Sequence, residues 1–289
     1  MGTLVIIIPA FNEEKTIGDI IQRIPKDLFS NISVVVINDG STDRTKDVAK
    51  EAGAEVITFR RNRGLAEAFR KGIKYAVSMD ADIIVNIDAD NQYDPQGIKE
   101  LIEPIIKEEA DLVLGSRFKG TIESMPQLKR FGNVAFTSLL KFLTKEPISD
   151  AQTGFRAFTR EVAEMIDIYG HYTYTQQMIL QASYHRFKIV EVPVKFSARV
   201  EGESKLMRSP MHFAYKAMEI LLLIISIYYP IKVFGLLGTI LIIFGVFFGV
   251  SYTQWNVLSS LIISTGILFI LFGTLFMLTR TKIDMNKKS

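Results

Sequence analysis

The sequence predicts an α/β domain built around a mainly parallel sheet and followed by a membrane-anchoring hairpin. Three observations carry this. Over residues 1 to about 118, short uninterrupted runs of Val, Ile and Leu alternate with helix-period stretches, the pattern of strands covered on both faces by helices. Although the chain is 22% charged, the 47 residues from Val233 to Thr279 contain no Asp, Glu, Lys or Arg. The mean hydropathy of +0.21 is then the average of a polar domain and an apolar segment.

In chain order, strands are expected at Leu4–Ile8, Val34–Ile37, Glu55–Phe59, Ile83–Ile87 and Asp111–Leu114. Helices are expected at about Glu13–Ile24, Thr42–Ala52, Leu65–Val77 and Pro95–Glu108, the last with Asp94 as N-cap and Pro95 at its first position. Leu4–Ile8 does not read as a signal peptide, because Pro9 and the polar Asn12, Glu13 and Glu14 follow at once. This domain is expected to cover residues 1–208.

Residues 209–230 hold the apolar run Ile220–Tyr229, too short to cross a bilayer and ended by Pro230, and are read as an interfacial amphipathic helix. Residues 231–289 are read as a transmembrane hairpin with a basic tail. Its uncharged stretch is ~70 Å long as helix, enough for two crossings of a ~30 Å hydrocarbon core. The polar break Thr253–Asn256 separates spans at about 233–252 and 257–279, and Trp255 suits the interfacial aromatic belt. Lys232 flanks the first span and Arg280, Lys282, Lys287 and Lys288 the second, so the positive-inside rule places the N-terminal domain in the cytoplasm.

Composition excludes several classes. With 34 basic against 31 acidic residues the net charge is +3, which gives no electrostatic footprint for nucleic acid. The absence of cysteine excludes disulfide frameworks, zinc ribbons and cysteine nucleophiles. Neither a Gly-x-Gly-x-x-Gly fingerprint nor a phosphate loop is present.

Parallel sheets bind ligands beyond the carboxyl ends of their strands. There the sequence places Pro9-Ala10-Phe11-Asn12-Glu13 after the first strand, Asn38-Asp39-Gly40-Ser41 after the second and Asp88-Ala89-Asp90-Asn91-Gln92 after the fourth. Two carboxylates as close as Asp88 and Asp90 repel unless a cation or protons intervene, which points to a hard divalent ion, with Gln92 adding a neutral oxygen. Turn and cap chemistry also accounts for Asp90, Asn91 and Asp94, and the Asn-Asp-Gly-Ser turn for Asp39. A carboxylate such as Asp39 past a strand end can equally accept from a ribose hydroxyl or a base N–H.

Together these loops resemble the family 2 glycosyltransferases with the GT-A fold, in the dolichyl-phosphate mannose synthase and polyprenyl-phosphate glycosyltransferase branch. The resemblance runs from Pro9 to about Arg208. Its motifs in order are Pro-Ala-Phe-Asn-Glu, Val-Val-Ile-Asn-Asp-Gly-Ser-Thr-Asp, Arg-Asn-Arg-Gly-Leu, Asp-Ala-Asp-Asn-Gln, Gly-Ser-Arg-Phe, Asp-Ala-Gln-Thr-Gly-Phe-Arg and Gly-Glu-Ser-Lys-Leu. It implies that Pro9, Ala10, Phe11, Glu13, Asp39, Asp88 and Ala89 hold the nucleotide. Asp88, Asp90 and Gln92 would bind Mg²⁺ or Mn²⁺ beside the diphosphate. Arg117, Arg130, Arg199 and Lys205 would meet phosphates of donor or acceptor, and Asp150 lies where the family builds its acceptor side. Arg199, Lys205 and Arg208 immediately precede the interfacial helix, which places a basic acceptor-phosphate cluster at headgroup height. Asp90, Asp150 and Arg117 are the expected catalytic residues.

The implied partners are a nucleotide-sugar donor, a polyprenyl or dolichyl phosphate acceptor and the lipid bilayer. A donor of the GDP-mannose or UDP-glucose type would lose one sugar by inverting transfer. One departure concerns the helix after Tyr172, where the family usually carries an acidic residue and this chain has Gln176 and Gln177. The Gln-x-x-Arg-Trp segment of processive synthases is missing, because Trp255 is the only tryptophan. A lipid or glycan hydroxyl acceptor, for which Asp150 would be the base, and a non-catalytic membrane-anchored nucleotide binder are the alternative readings. Gly235, Gly238, Gly245 and Gly249 suggest homo-oligomerisation through the spans, with Gly245 and Gly249 forming a Gly-x-x-x-Gly step.

Overall fold

In the computed structural model, residues 2–123, 125–170, 174–198, 218–219, 222, 225–252 and 256–288 are described. The chain divides into two units, Met1–Ala217 and Met218–Ser289. The N-terminal unit is a single seven-stranded sheet in the order β3-β2-β1-β4-β6-β5-β7. Its strands are β1 (Thr3–Ala10), β2 (Asn31–Asn38), β3 (Glu55–Thr58), β4 (Ile83–Asn86), β5 (Leu112–Ile122), β6 (Arg156–Thr159) and β7 (Ile189–Phe196). Its helices are α1 (Ile17–Arg23), α2 (Thr45–Glu51), α3 (Leu65–Ser78), α4 (Ile98–Ile106), α5 (Gln127–Thr144), α6 (Arg160–Met165) and α7 (Tyr174–Tyr184).

The five strands expected from sequence all form. β1 pairs in parallel with β2 and β4, and β2 with β3, so three acidic loops leave neighbouring strands at one edge. Leu4 to Ile8 are fully buried because helices cover both faces, which is why that strand shows no polar alternation. β6 is antiparallel to both β4 and β5, making the sheet mixed, and β7 returns parallel to β5. β5 extends to Ile122, well past the expected Leu114, because β7 continues alongside it beyond an irregularity between Ser116 and Thr121. Asp94 accepts from the Gln96 N–H as expected, but Pro95–Gly97 form a 3-10 turn before α4. α1, α2 and α3 begin and end within a few residues of the sequence reading, α2 starting at Thr45, whose N–H donates to Asp43 Oδ1 at 3.0 Å, while α5, α6 and α7 lie beyond the helices bounded from sequence.

In the C-terminal unit a π-helical turn, Ile231–Gly235, leads into α8 (Leu236–Ser251), and α9 (Asn256–Lys288) comes after the break. Ile231–Ser251 and Asn256–Lys282 are both long and apolar enough to cross a membrane. Their outer faces expose large side chains such as Val250, Phe247 and Leu275, a surface suited to hydrocarbon rather than water. α9 runs on past the expected end at Thr279 through the charged tail. Most of the interfacial helix expected at 209–230 lies outside the described residues, as does the turn 253–255 with Trp255; residues 225–228 are helical, with Ile225 and Tyr228 buried.

Three of the four glycines of the expected oligomerisation face pack against the other long helix of the same chain. A Cβ at Gly238 would lie 2.5 Å from the Gly266 carbonyl oxygen, and one at Gly245 would lie 2.7 Å from Ile263. Gly249 faces Ser259, whose hydroxyl donates to the Gly245 carbonyl at 2.6 Å. The small residues are therefore spent on bringing α8 and α9 of the same chain together. Gly235 meets only Ile231 of its own turn.

Cysteines replacing Gly249 and Ser259 are expected to form an internal disulfide in this cysteine-free chain, since their Cβ atoms would be close to the bonding range of about 3.5–4.5 Å. Adding Gly238→Leu should lower the disulfide yield severalfold, measured by mass after alkylation. An unchanged yield would show that close helix approach does not depend on Gly238.

Candidate active site

The site is assembled where the loops after β1, β2 and β4 meet. The Asn12 N–H donates to Ser41 Oγ at 2.9 Å, the Thr42 N–H returns to Asn12 Oδ1 at 2.8 Å, and the Glu13 N–H donates to Thr45 Oγ1 at 2.8 Å. These bonds lock the first two loops together. Thr16 then reaches across to donate its hydroxyl to the Ala89 carbonyl at 2.6 Å, joining the third. Pro9, Ala10 and Ala89 are buried at the strand ends, while Phe11 and Glu13 are half-buried.

Asp39 is buried and accepts from two backbone groups, the Arg63 N–H at 2.7 Å and the Gly64 N–H at 2.9 Å. It thereby holds the loop between β3 and α3 against the end of β2. Burial raises its pKa above the ordinary carboxylate value, and the two N–H donors and Arg63 oppose that shift only in part. A sequence reading could place Asp39 on the edge but could not show that both oxygens serve the backbone.

Asp88 and Asp90 lie half-buried just past β4. Asp90 Oδ1 accepts from the Gln92 N–H at 3.2 Å. Gln92 donates its side-chain amide to the Ser197 carbonyl at 3.3 Å, and the Ser197 N–H returns to the Gln92 carbonyl at 2.8 Å, so the loop is fastened to the chain leaving β7. Asp88 rests against Gly154, where any added Cβ would overlap its carboxylate. That close approach explains why the Thr-Gly-Phe-Arg segment needs glycine.

Arg117 and Asp150, expected to face substrate separately, are instead each other's partners. Arg117 Nε and Nη2 donate to Asp150 Oδ2 and Oδ1 at 2.6 and 2.7 Å, and the Arg117 N–H adds a third bond at 3.0 Å. The Gln152 N–H adds a fourth at 3.3 Å. Their side chains are 4% and 0% exposed. Burial works against the guanidinium charge, but Tyr93, Asp150 and Asp88 outweigh it and raise the Arg117 pKa above its ordinary value. Both Asp150 oxygens are thus committed to hydrogen bonds within the chain.

Sequence reading gives no role to three supporting groups. Glu191 on β7 accepts from the Ser149 and Asp150 N–H groups at 2.7 and 2.9 Å and pairs with Lys119, an acid in an apolar strand that gave no pattern to follow. Arg156 is fully buried opposite Asn86, donating to the carbonyls of Thr175 and Thr153. Gln177 and Gln181, one turn apart on α7, clamp the backbone of Tyr169 and Asp167 through both ends of their amides at 2.6–2.8 Å. A carboxylate at 177 could accept from the Tyr169 N–H but could not donate to its carbonyl. Arg130 lies exposed in the first turn of α5, and Arg199, Lys205 and Arg208 lie outside the described residues.

No group of three or more His, Cys, Asp or Glu close enough to hold a metal occurs among the described residues. The carboxylates of Asp88 and Asp90 with the neutral Gln92 oxygen still suit Mg²⁺ or Mn²⁺, hard ions that retain water and substrate oxygens when the protein supplies few ligands.

Residues 5–166 match the family model described as Glycosyl transferase family 2. The chain is 32% identical over 213 residues to a UDP-N-acetylglucosamine–dolichyl-phosphate N-acetylglucosaminyltransferase of Methanococcus voltae, covering 66% of this chain and 84% of that one. It is 30% identical over 203 residues to a dolichyl-phosphate hexose transferase of Haloferax volcanii, covering 70% and 86%. Among solved structures, glucosyl-3-phosphoglycerate synthase of Mycobacterium tuberculosis, crystallised with Mn²⁺, UDP and glucosyl-3-phosphoglycerate, superposes with a TM-score of 0.62 at 22% identity, covering 77% and 80%. That likeness establishes the GT-A fold.

Asp150→Asn is expected to leave the buried Arg117 without its counter-charge, a loss of about 3–5 kcal/mol. The thermal midpoint of the full chain in detergent should fall further in Asp150→Asn than in the double variant Arg117→Met/Asp150→Leu. Equal losses would show that the pair is not what holds this region.

Proposed function

The chain belongs to glycosyl transferase family 2, and from that premise we propose that it moves one sugar from a nucleotide diphosphate donor to a polyprenyl or dolichyl phosphate at the cytoplasmic face of a membrane. The observation that carries this reading is the meeting of three strand-end loops at one sheet edge, with Asp39 on the nucleotide side and Asp88 and Asp90 on the diphosphate side. The relatives' names supply the acceptor class. They differ in the sugar they name, so the donor is left at its class.

Pro9, Ala10, Phe11 and Glu13 line the nucleotide, and Asp39 meets it while bracing the loop before α3. A divalent ion held by Asp90, with Asp88 and Gln92, would neutralise charge developing on the leaving diphosphate. Arg117 adds positive charge to the floor and is kept there by Asp150, which makes Asp150 a positioning residue rather than a base. This arrangement favours an acceptor that needs no deprotonation. A lipid monophosphate is largely ionised near neutral pH and can attack the anomeric carbon from the face opposite the diphosphate, whereas a hydroxyl would need a base. Arg130, Arg199, Lys205 and Arg208 are the proposed phosphate contacts on the acceptor side.

Asp90→Ala should lower transfer at least about a hundredfold while leaving thermal stability nearly unchanged, because leaving-group stabilisation is lost and no packing is. Wild-type turnover by this variant at saturating Mn²⁺ would sink the metal assignment.

With purified protein, polyprenyl phosphate and a panel of radiolabelled nucleotide sugars, one donor should give lipid-linked sugar, and EDTA should abolish it. Activity should fall as pH drops through the phosphate's second ionisation at about pH 6. A preference for free polyprenol over polyprenyl phosphate would overturn the acceptor assignment. Cysteines placed at Gln254 and Ser289 should label from opposite sides of sealed vesicles, as a hairpin with both ends on the cytoplasmic side requires.

A further inference from the structure

α5 buries polar groups and exposes aromatic ones. The face turned into the N-terminal unit holds Asn133 and Thr137 alongside Leu140 and Leu143, all buried, and Thr137 accepts the Ala151 N–H at 3.1 Å. The outward face presents Phe131 at 73% and Phe142 at 79% exposure, eleven residues apart and so nearly in line after three turns, with Val134 beside them at 49%. Among the described residues these aromatics are the most exposed of the unit's large apolar side chains, and a water-facing helix gains nothing from them.

Charge completes the pattern. From Gln127 to Lys145 the sequence has four basic residues, Lys129, Arg130, Lys141 and Lys145, and no Asp or Glu. Arg130, Lys141 and Lys145 are exposed, at the two ends of the aromatic face. An apolar stripe flanked by cations and free of acids is the composition of a helix that lies in the headgroup region of an anionic bilayer, its rings in the acyl boundary and its cations among the phosphates. The same chain carries two helices long and apolar enough to cross a membrane, which on the membrane reading proposed above would tether this unit to a bilayer. We propose that the outward face of α5 is a membrane-docking surface for anionic lipid, separate from the spans and from the segment 209–230, and that it holds the catalytic unit against the bilayer.

Because the chain has no cysteine, single probes can be placed in the full-length protein. Phe131→Cys, Phe142→Cys and, as a control, Met79→Cys would be labelled with an environment-sensitive fluorophore and reconstituted into phosphatidylcholine vesicles with and without phosphatidylglycerol. Met79 is an exposed apolar residue at the end of α3. Nitroxide-bearing lipids should quench the labels at 131 and 142 at least about twofold more than the label at 79, more strongly with phosphatidylglycerol present. Lys141→Glu/Lys145→Glu should remove the phosphatidylglycerol dependence. Equal quenching at all three positions would overturn the proposal. So would labels at 131 and 142 that are shielded from aqueous iodide yet unquenched by nitroxide lipid, because a protein surface, such as a second copy, would then cover α5. The readout involves no sugar transfer, so it stands apart from the success or failure of the activity assignment.

Discussion

The arrangement of the candidate site depends on the buried pair of Arg117 and Asp150. A guanidinium and a carboxylate taken out of water must satisfy one another almost completely, or the desolvation cost is not recovered. Here the fork geometry uses two guanidinium nitrogens and both carboxylate oxygens, and the Arg117 N–H is recruited as well. This fixes the middle of β5 relative to the loop before β6. Glu191 fixes the same loop from the other side through the Ser149 and Asp150 N–H groups.

The segment from Asp150 into β6 inherits that constraint. With Asp150 held, Thr153 meets the Tyr93 hydroxyl at 3.1 Å and Gly154 is laid against Asp88. Asn86, two residues before Asp88, donates to the Gly154 carbonyl at 2.6 Å. Arg156, the first residue of β6, has its pKa lowered by burial, and the negative charges of Asp150 and Asp88 oppose that shift. The floor therefore contains two cations, Arg117 and Arg156, and two carboxylates, Asp150 and Asp88, a balance that lets four charged groups share a low-dielectric region. Asp88 belongs to this charged group through its place against Gly154 and its charge interaction with Arg117 and Arg156.

The C-terminal unit, whose two helices are long and apolar enough to cross a membrane, is held together differently. Helices that are apolar all round associate through small residues and hydroxyl-to-carbonyl bonds. Gly238 against Gly266 and Ser259 against Gly245 meet that need within one hairpin. At the end of the second helix Arg280 is buried against the Tyr228 ring and donates to its hydroxyl at 2.9 Å, and Lys232 lies over Tyr229, so cations flanking the spans also have aromatic partners. α5 of the N-terminal unit shows the same mixture of rings and cations on an exposed face.

The sequence by itself determined the strands from β1 to the start of β5, the membrane hairpin and the loops that carry Asp39, Asp88 and Asp90. Apolar runs such as Leu4–Ile8 and the uncharged stretch Val233–Thr279 are local signals, set by burial of contiguous residues. It did not reveal β6, which is four residues long, nor the reach of β5 beside β7, because both exist through pairing with strands distant in sequence. The motif Asp-Ala-Gln-Thr-Gly-Phe-Arg drew attention to Asp150, yet only the tertiary structure decided that its carboxylate answers Arg117, 33 residues away. The glycines of α8 were visible as a pattern, but whether they face a second copy or α9 depends on how the hairpin closes. Sequence spacing fixes which residues share a face; which partner that face meets is settled by where desolvated charge and close backbone approach can be satisfied together.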